Sequence, residues 1–118
     1  MTEGIGFQQV NQELDELTKT IEATTFQMTE AREKYLLKKG EYKNSLAMHQ
    51  RQTKLKNPEM TQTDVNAEAT NLAYPVYIEM VMADSAYSKR INELRAARDR
   101  LDALRELSYN LRKEASIR

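Results

Sequence analysis

Along the first half of the chain a stripe of mostly apolar and small residues, interrupted by Lys38 and ending at His49, recurs at alternating steps of three and four: Phe7, Val10, Leu14, Leu17, Ile21, Thr24, Met28, Ala31, Tyr35, Lys38, Tyr42, Ser45 and His49. This is the seven-residue period of a helix that lays one narrow stripe against a partner helix. Strong helix formers fill the positions between, so the pattern predicts one helix over about 7–55, roughly 70 Å long at 1.5 Å per residue. Asn57-Pro58 ends it, because the proline ring disfavours helical geometry at Asn57. After a turn over about 56–63, Thr63 or Asp64 offers an oxygen to cap the free N–H groups of a second helix, predicted over about 64–116. Its stripe runs Ala73, Val76, Met80, Ala83, Tyr87, Arg90, Leu94, Ala97, Leu101, Leu104, Ser108, Leu111 and Ala115. Pro75 removes one backbone bond, which predicts a kink or break in this helix.

The two stripes predict a pairing. If the chain reverses near Glu59, facing residues have numbers summing to about 118, which matches Leu14 with Leu104, Leu17 with Leu101 and Ile21 with Ala97. The same rule sets Ala31 against Tyr87, Tyr35 against Ala83 and Tyr42 against Val76, large against small as close packing requires. Flanking charges give nearly the same register: Asp15 with Arg105, Glu22 with Arg98, Glu30 with Arg90 and Lys56 with Asp64. The expected fold is all-α, a single domain over 1–118 folded as a long antiparallel two-helix coiled-coil hairpin.

Charge supports the reversal. Formal net charge is zero, but it is laid down in blocks. Residues 1–31 carry one base against six acids, and 32–56 carry eight bases against two acids. Residues 57–88 carry five acids and no base, and 89–118 carry nine bases against five acids. Antiparallel folding opposes unlike blocks, whereas parallel pairing of two copies opposes like ones.

One stretch exceeds what a single seam needs. In 72–83 only Pro75 and Glu79 interrupt apolar residues, and the seam uses four of the rest. Leu72, Tyr74, Tyr77, Ile78, Val81 and Met82 are left over, with Leu36 and Leu37 at the same level of the first helix. A helix apolar nearly all round is buried on more than one side, so these eight residues are the expected oligomer or partner surface. A two-helix seam without disulfide or metal also needs such reinforcement. The apolar stretch is too short for a membrane helix, which takes about 20 residues.

Composition narrows the chemistry. The chain has no cysteine, which excludes disulfides and thiolate metal sites and makes the cytoplasm the simplest location. No signal peptide is legible in the first 20 or so residues. His49, the single histidine, has no second ligand or nucleophile at helical spacing. Glu13 with Glu16, and Asp99 with Asp102, share helical faces but lack the further donors a metal site requires. No enzyme, cofactor, metal or small-molecule substrate is expected.

Two basic features remain. Lys34, Lys38, Lys39, Lys43, Arg51, Lys54 and Lys56 are candidate contacts for a single-stranded nucleic acid backbone. Arg98, Arg105 and Arg112 repeat every seven residues on one face, where ion pairs across the seam compete with phosphate contact.

From about Arg32 to Arg118, the basic first helix, polar turn and long second helix with Arg-bearing turns resemble phage-encoded coiled-coil accessory proteins, in particular the UvsY-type recombination mediators. The segments MADSAY (82–87) and LSYNLR (107–112) carry most of the similarity. The resemblance implies a ring-like oligomer that binds single-stranded DNA, serves a recombinase partner and acts in the host cytoplasm. Two alternatives stay open. One is a chaperone or adaptor resembling prefoldin subunits in length and paired helices, without their β-hairpin signal. The other is an inhibitor that docks on a host enzyme through 72–83.

Overall fold

In the computed structural model, which describes residues 6–117, the chain forms three helices and, among those residues, no strand. They are α1 (Phe7–Lys56), α2 (Gln62–Leu72) and α3 (Tyr74–Ile117). Residues 1–5 and 118 of the domain expected over 1–118 lie outside the described residues.

The ends of α1 follow from local bonding. The Val10 N–H closes the first turn on the Gly6 carbonyl at 3.0 Å. At the other end the Asn57 N–H still reaches the Thr53 carbonyl, but Pro58 has no N–H to continue the ladder. Instead the Met60 N–H bonds back to the Asn57 carbonyl at 3.0 Å, a tight turn with proline at the position its fixed φ favours. Lys54 Nζ donates to the Met60 carbonyl at 2.7 Å, tying the turn to the helix it leaves.

The second helical stretch starts earlier than expected and is divided. Its cap is Thr61, not Thr63 or Asp64: the turn leaves Thr61 extended (φ −66°, ψ 154°), and its hydroxyl accepts the Asp64 N–H. Asp64 instead sits in the first turn, where its charge suits the positive helix end. The division falls at Ala73, a single residue with φ −86° and ψ −1° between α2 and α3. Its carbonyl accepts both the Val76 and Tyr77 N–H groups, at 3.1 and 3.0 Å. Pro75 is the second residue of α3, so the donor that Asn71 would find four residues on does not exist.

The chain divides into two compact units, 1–28 with 89–118 and 29–88. In the first, Val10 is fully buried and Thr24, Leu94, Leu104 and Ser108 are buried around it along the stripe. Here α1 and α3 meet in reversed order: Arg112 lies over the Phe7 ring at 5.7 Å, and Arg100 reaches Glu13 at 3.7 Å.

The unit 29–88 is centred on small residues: Thr53, Val65, Ala69, Ala73 and Ala83 are buried. Its two sides also meet in reversed order. Tyr35 stacks on Tyr87, Tyr42 packs on Tyr77, Lys38 reaches Glu79, and Gln50 donates to Asn66. Asn66 Oδ1 accepts from Gln62 as well, so one amide oxygen joins α1 and α2.

The Tyr35–Tyr87 pair departs from the expected Tyr35–Ala83 layer for a geometric reason. Helical side chains lean toward their own N-terminus, so in opposed helices two long rings converge when their numbers sum slightly above the backbone register. Their centroids are 6.2 Å apart.

The predicted stripes coincide with the buried and half-buried positions, with Phe7 and Ala115 exposed at the ends. The exception is the stretch beside the turn. There Leu46, Gln50 and Thr53 join Ser45 and His49 as interior positions on α1, and Val65, Ala69 and Ala73 lie inside on the returning chain at steps of four.

Gly40 stands within α1, and a Cβ built on it meets nothing within 4 Å. Gly40→Ala is expected to raise stability by about 0.5–1 kcal/mol, since glycine alone carries the larger entropy cost in a helix interior. Urea unfolding followed by circular dichroism measures it. A loss of stability would mean that a further chain packs against Gly40.

Candidate functional site

All eight residues of the expected assembly surface are exposed. They range from Ile78 at 37% to Met82 at 67%. Five of them lie on one stripe of α3: Tyr74, Tyr77, Ile78, Val81 and Met82 recur at helical spacing, centred about 150° round the helix from the seam. Tyr74, Ile78 and Val81 form its centre, turned from α1, while Tyr77 and Met82 lie on its edges toward α1. Leu72 closes α2 just before the division at Ala73. Leu36 and Leu37 fall on opposite flanks of α1 by the same geometry, so they do not form one patch with each other.

Tyrosines order the near edge of the stripe. Tyr77 packs on Tyr42 with ring centroids 5.4 Å apart, and Tyr74 lies 6.2 Å from Tyr77. Tyr77 is therefore shared between the unit's own packing and its surface. On the other edge, Met82 borders a hollow of about 440 Å³ with Lys34, Lys38 and Glu79 around it.

The seven candidate nucleic-acid residues are not gathered into a track. Lys34 and Lys38 lie on one flank of α1 and Lys39 and Lys43 on the other, because steps of four and five residues carry them round the helix. Lys38 is engaged with Glu41 at 3.1 Å and Glu79 at 3.4 Å. The hydrogen bond that Lys38 donates to Glu41 raises its pKa, with burial opposing and the charges of both glutamates assisting. Lys54 holds the turn through Met60. Lys34, Lys39, Lys43, Arg51 and Lys56 remain exposed.

The flanking ion pairs also differ from expectation. Arg90 pairs with Glu93 on its own helix at 2.9 Å, and Glu13 takes Arg100. Arg105 does not reach Asp15. It lines a hollow of about 330 Å³ with Leu14, Ser108, Tyr109 and Arg112. Long side chains at neighbouring heptad positions have several partners within reach, and these exposed pairs differ little in energy.

One feature went unseen in the sequence. Beside the turn, Ala47, Leu55, Pro58 and Val65 line a hollow of about 590 Å³ edged by Arg51 and Lys54. Leu55 is 76% exposed. The signal available was the spacing Val65, Ala69, Ala73, which departs from the heptad and shifts the buried face near the turn.

Among the described residues, no group of three or more His, Cys, Asp or Glu side chains comes together, and His49 is half-buried on α1. No helix is long and apolar enough to cross a membrane. Comparison with known proteins finds no matching family model, no matching curated protein and no matching solved structure.

Proposed function

We propose that this chain is a non-enzymatic accessory protein. Its helices pair as one antiparallel hairpin, and it assembles with copies of itself through the apolar stripe of α3. The observation that carries the reading is the exposure of Tyr74, Ile78 and Val81 on the face of α3 turned away from α1, with Met82 exposed at its edge. A contiguous apolar face of this kind is normally covered by another chain.

Charge favours a second copy as the cover. The stripe lies within residues 57–88, which have five acids and no base. Within 32–56, which have eight bases against two acids, one flank of α1 exposes Leu37, Met48 and Leu55 at helical spacing. An α3 face of one copy on the α1 face of the next is complementary in both polarity and charge. Such a contact joins unlike surfaces, and it closes into a ring or continues as a filament depending on the rotation between copies. The ring alternative agrees with the resemblance to recombination mediators. Single-strand binding is the weaker part of that resemblance, since the exposed lysines of α1 are dispersed around it.

Two measurements test the reading. Sedimentation over a range of concentrations is expected to show a species heavier than the 13.7 kDa chain. A monomer at every concentration would remove self-assembly. Cysteines placed at Leu17 and Leu101 are expected to cross-link within one chain under mild oxidation, as facing members of one layer. Exclusively intermolecular products would show that the helices pair between chains.

A further inference from the structure

Phe26 is 65% exposed on α1, between the stripe positions Thr24 and Met28, which places its ring on the outward side of the helix. Glu22 and Glu30, about one turn before and one turn after, are exposed on the same face, and neither forms an ion pair among the described residues. Lys19 and Glu33 lie a further turn out on either side, so the face stays acidic. A single exposed apolar residue is ordinary by itself. What gives this one meaning is a hollow of the opposite character on the same chain.

That hollow is the one of about 590 Å³ beside the turn. Ala47, Leu55 and Pro58 are its exposed apolar walls, with Val65 buried behind them, and Arg51 and Lys54 edge it. Arg51 has no ion pair among the described residues, and Lys54 Nζ gives one hydrogen to the Met60 carbonyl and keeps two more. We infer that Phe26 of one copy enters this hollow of a second copy, with Glu22 and Glu30 meeting Arg51 and Lys54 at the rim. An aromatic anchor fills an apolar recess, and the carboxylates that bracket the anchor meet the cations that edge the recess. The wider charge agrees: residues 1–31 carry six acids against one base, and 32–56 carry eight bases against two acids. Phe26 and Ala47 stand about six turns apart on one helix, so a chain does not fill its own hollow. The contact therefore joins unlike surfaces and passes from copy to copy. One aromatic side chain buries about 150–250 Å², far less than a standard interface, so the contact is weak alone and shows in concentrated solution. Phe26 lies outside the α3 stripe, and of the hollow's walls only Leu55 belongs to the α1 flank offered to that stripe, so substitution separates the two contacts.

The chain has no tryptophan, so Phe26→Trp places a single reporter at the anchor. In the full-length protein its emission is expected to be that of an exposed indole when dilute and to move to shorter wavelength as concentration rises. The midpoint should climb with salt, which screens charges at the rim. Ala47→Glu in the same chain puts a carboxylate where the ring would lie, and is expected to raise the midpoint at least about tenfold. Mixing then identifies the partner. The chain with both Phe26→Trp and Ala47→Glu has an anchor and a blocked hollow, whereas Phe26→Ala has an open hollow and no anchor. Excess Phe26→Ala is expected to restore the shift, which also shows that the doubly substituted chain is folded. Phe26→Ala that carries Ala47→Glu as well is expected to restore nothing. Adding Ile78→Lys and Met82→Lys to the Phe26→Trp chain is expected to raise the midpoint without abolishing the shift, which keeps a failure of the stripe distinct from a failure of this contact. The proposal is overturned if the emission never changes with concentration, if Ala47→Glu leaves the shift as it was, or if the lysine pair alone abolishes it.

Discussion

A chain carrying lysine at both Ile78 and Met82 is expected to remain helical and to fall apart into its smallest species. Both residues are exposed in the protomer, at 37% and 67%, and lysine is a good helix former, so the fold has no reason to suffer. In an assembly that covers the α3 stripe, each lysine becomes a charge removed from water. Breaking a buried pair by removing one partner costs about 3–5 kcal/mol, which sets the scale for a charge left unpaired. Even half of this for the two together weakens association by about ten- to sixtyfold. The sign of the introduced charge adds a finer test. If the stripe rests on the basic surface of α1, glutamate at the same positions finds lysines to pair with and disrupts less than lysine does. Equal disruption by both would instead favour a stripe packed on its own copy, and unchanged mass would mean that the stripe receives a different protein. Light scattering with circular dichroism separates these outcomes.

The second large effect lies within the fold. Leu94→Ala is expected to destabilise the unit 1–28 with 89–118 by about 2–5 kcal/mol, because Leu94 is 4% exposed and truncation leaves a cavity as well as losing apolar contact. Folded domains hold only about 5–15 kcal/mol in total, so this is a large fraction. The unit's other large buried apolar side chains are Val10 and Leu104, and few neighbours are available to close the gap. Hydrogen exchange is expected to show the loss concentrated in this unit, with protection around Val65 and Ala69 less affected. Loss of protection of the same size in both units would show that they unfold as one, and a change below about 0.5 kcal/mol would mean that Leu94 is not part of a core.

The legibility of this fold was uneven, and the reasons are physical. Helical periodicity is a property of the backbone, so steps of three and four from Val10 to His49 located the buried stripe before any partner was considered. The stretch Val65, Ala69, Ala73 was harder to read. Two of its three members are alanine, which is as common on exposed helix faces as on buried ones, and its step of four breaks the heptad. The cap was ambiguous because Thr61, Thr63 and Asp64 are all competent. The Asn57–Met60 bond decides among them by leaving Thr61 extended. Apolar surface was legible as a surplus over what one seam uses, and its exposure on α3 follows from the same periodicity. The basic residues were counted as a group in the sequence, but a helix distributes neighbours round its circumference, and Lys38 is drawn to Glu41 and Glu79. The hollow around Ser108 needs two helices side by side, so no pattern along one chain could announce it.

The change of step beside the turn has a mechanical consequence. Val65, Ala69, Ala73 and Val76 on the returning chain advance by four, four and three. Eleven residues in three turns is about 3.67 per turn, against 3.5 for a heptad. Heptads make paired helices wind about each other with a left-handed sense, and an eleven-residue step relaxes that winding. That spacing on the returning chain favours less winding beside Pro58 than the heptad spacing of α3 beyond Val76 does. A partner gripping the chain beside the turn can lie straight along it, whereas one that follows α3 past Val81 has to wind as it goes.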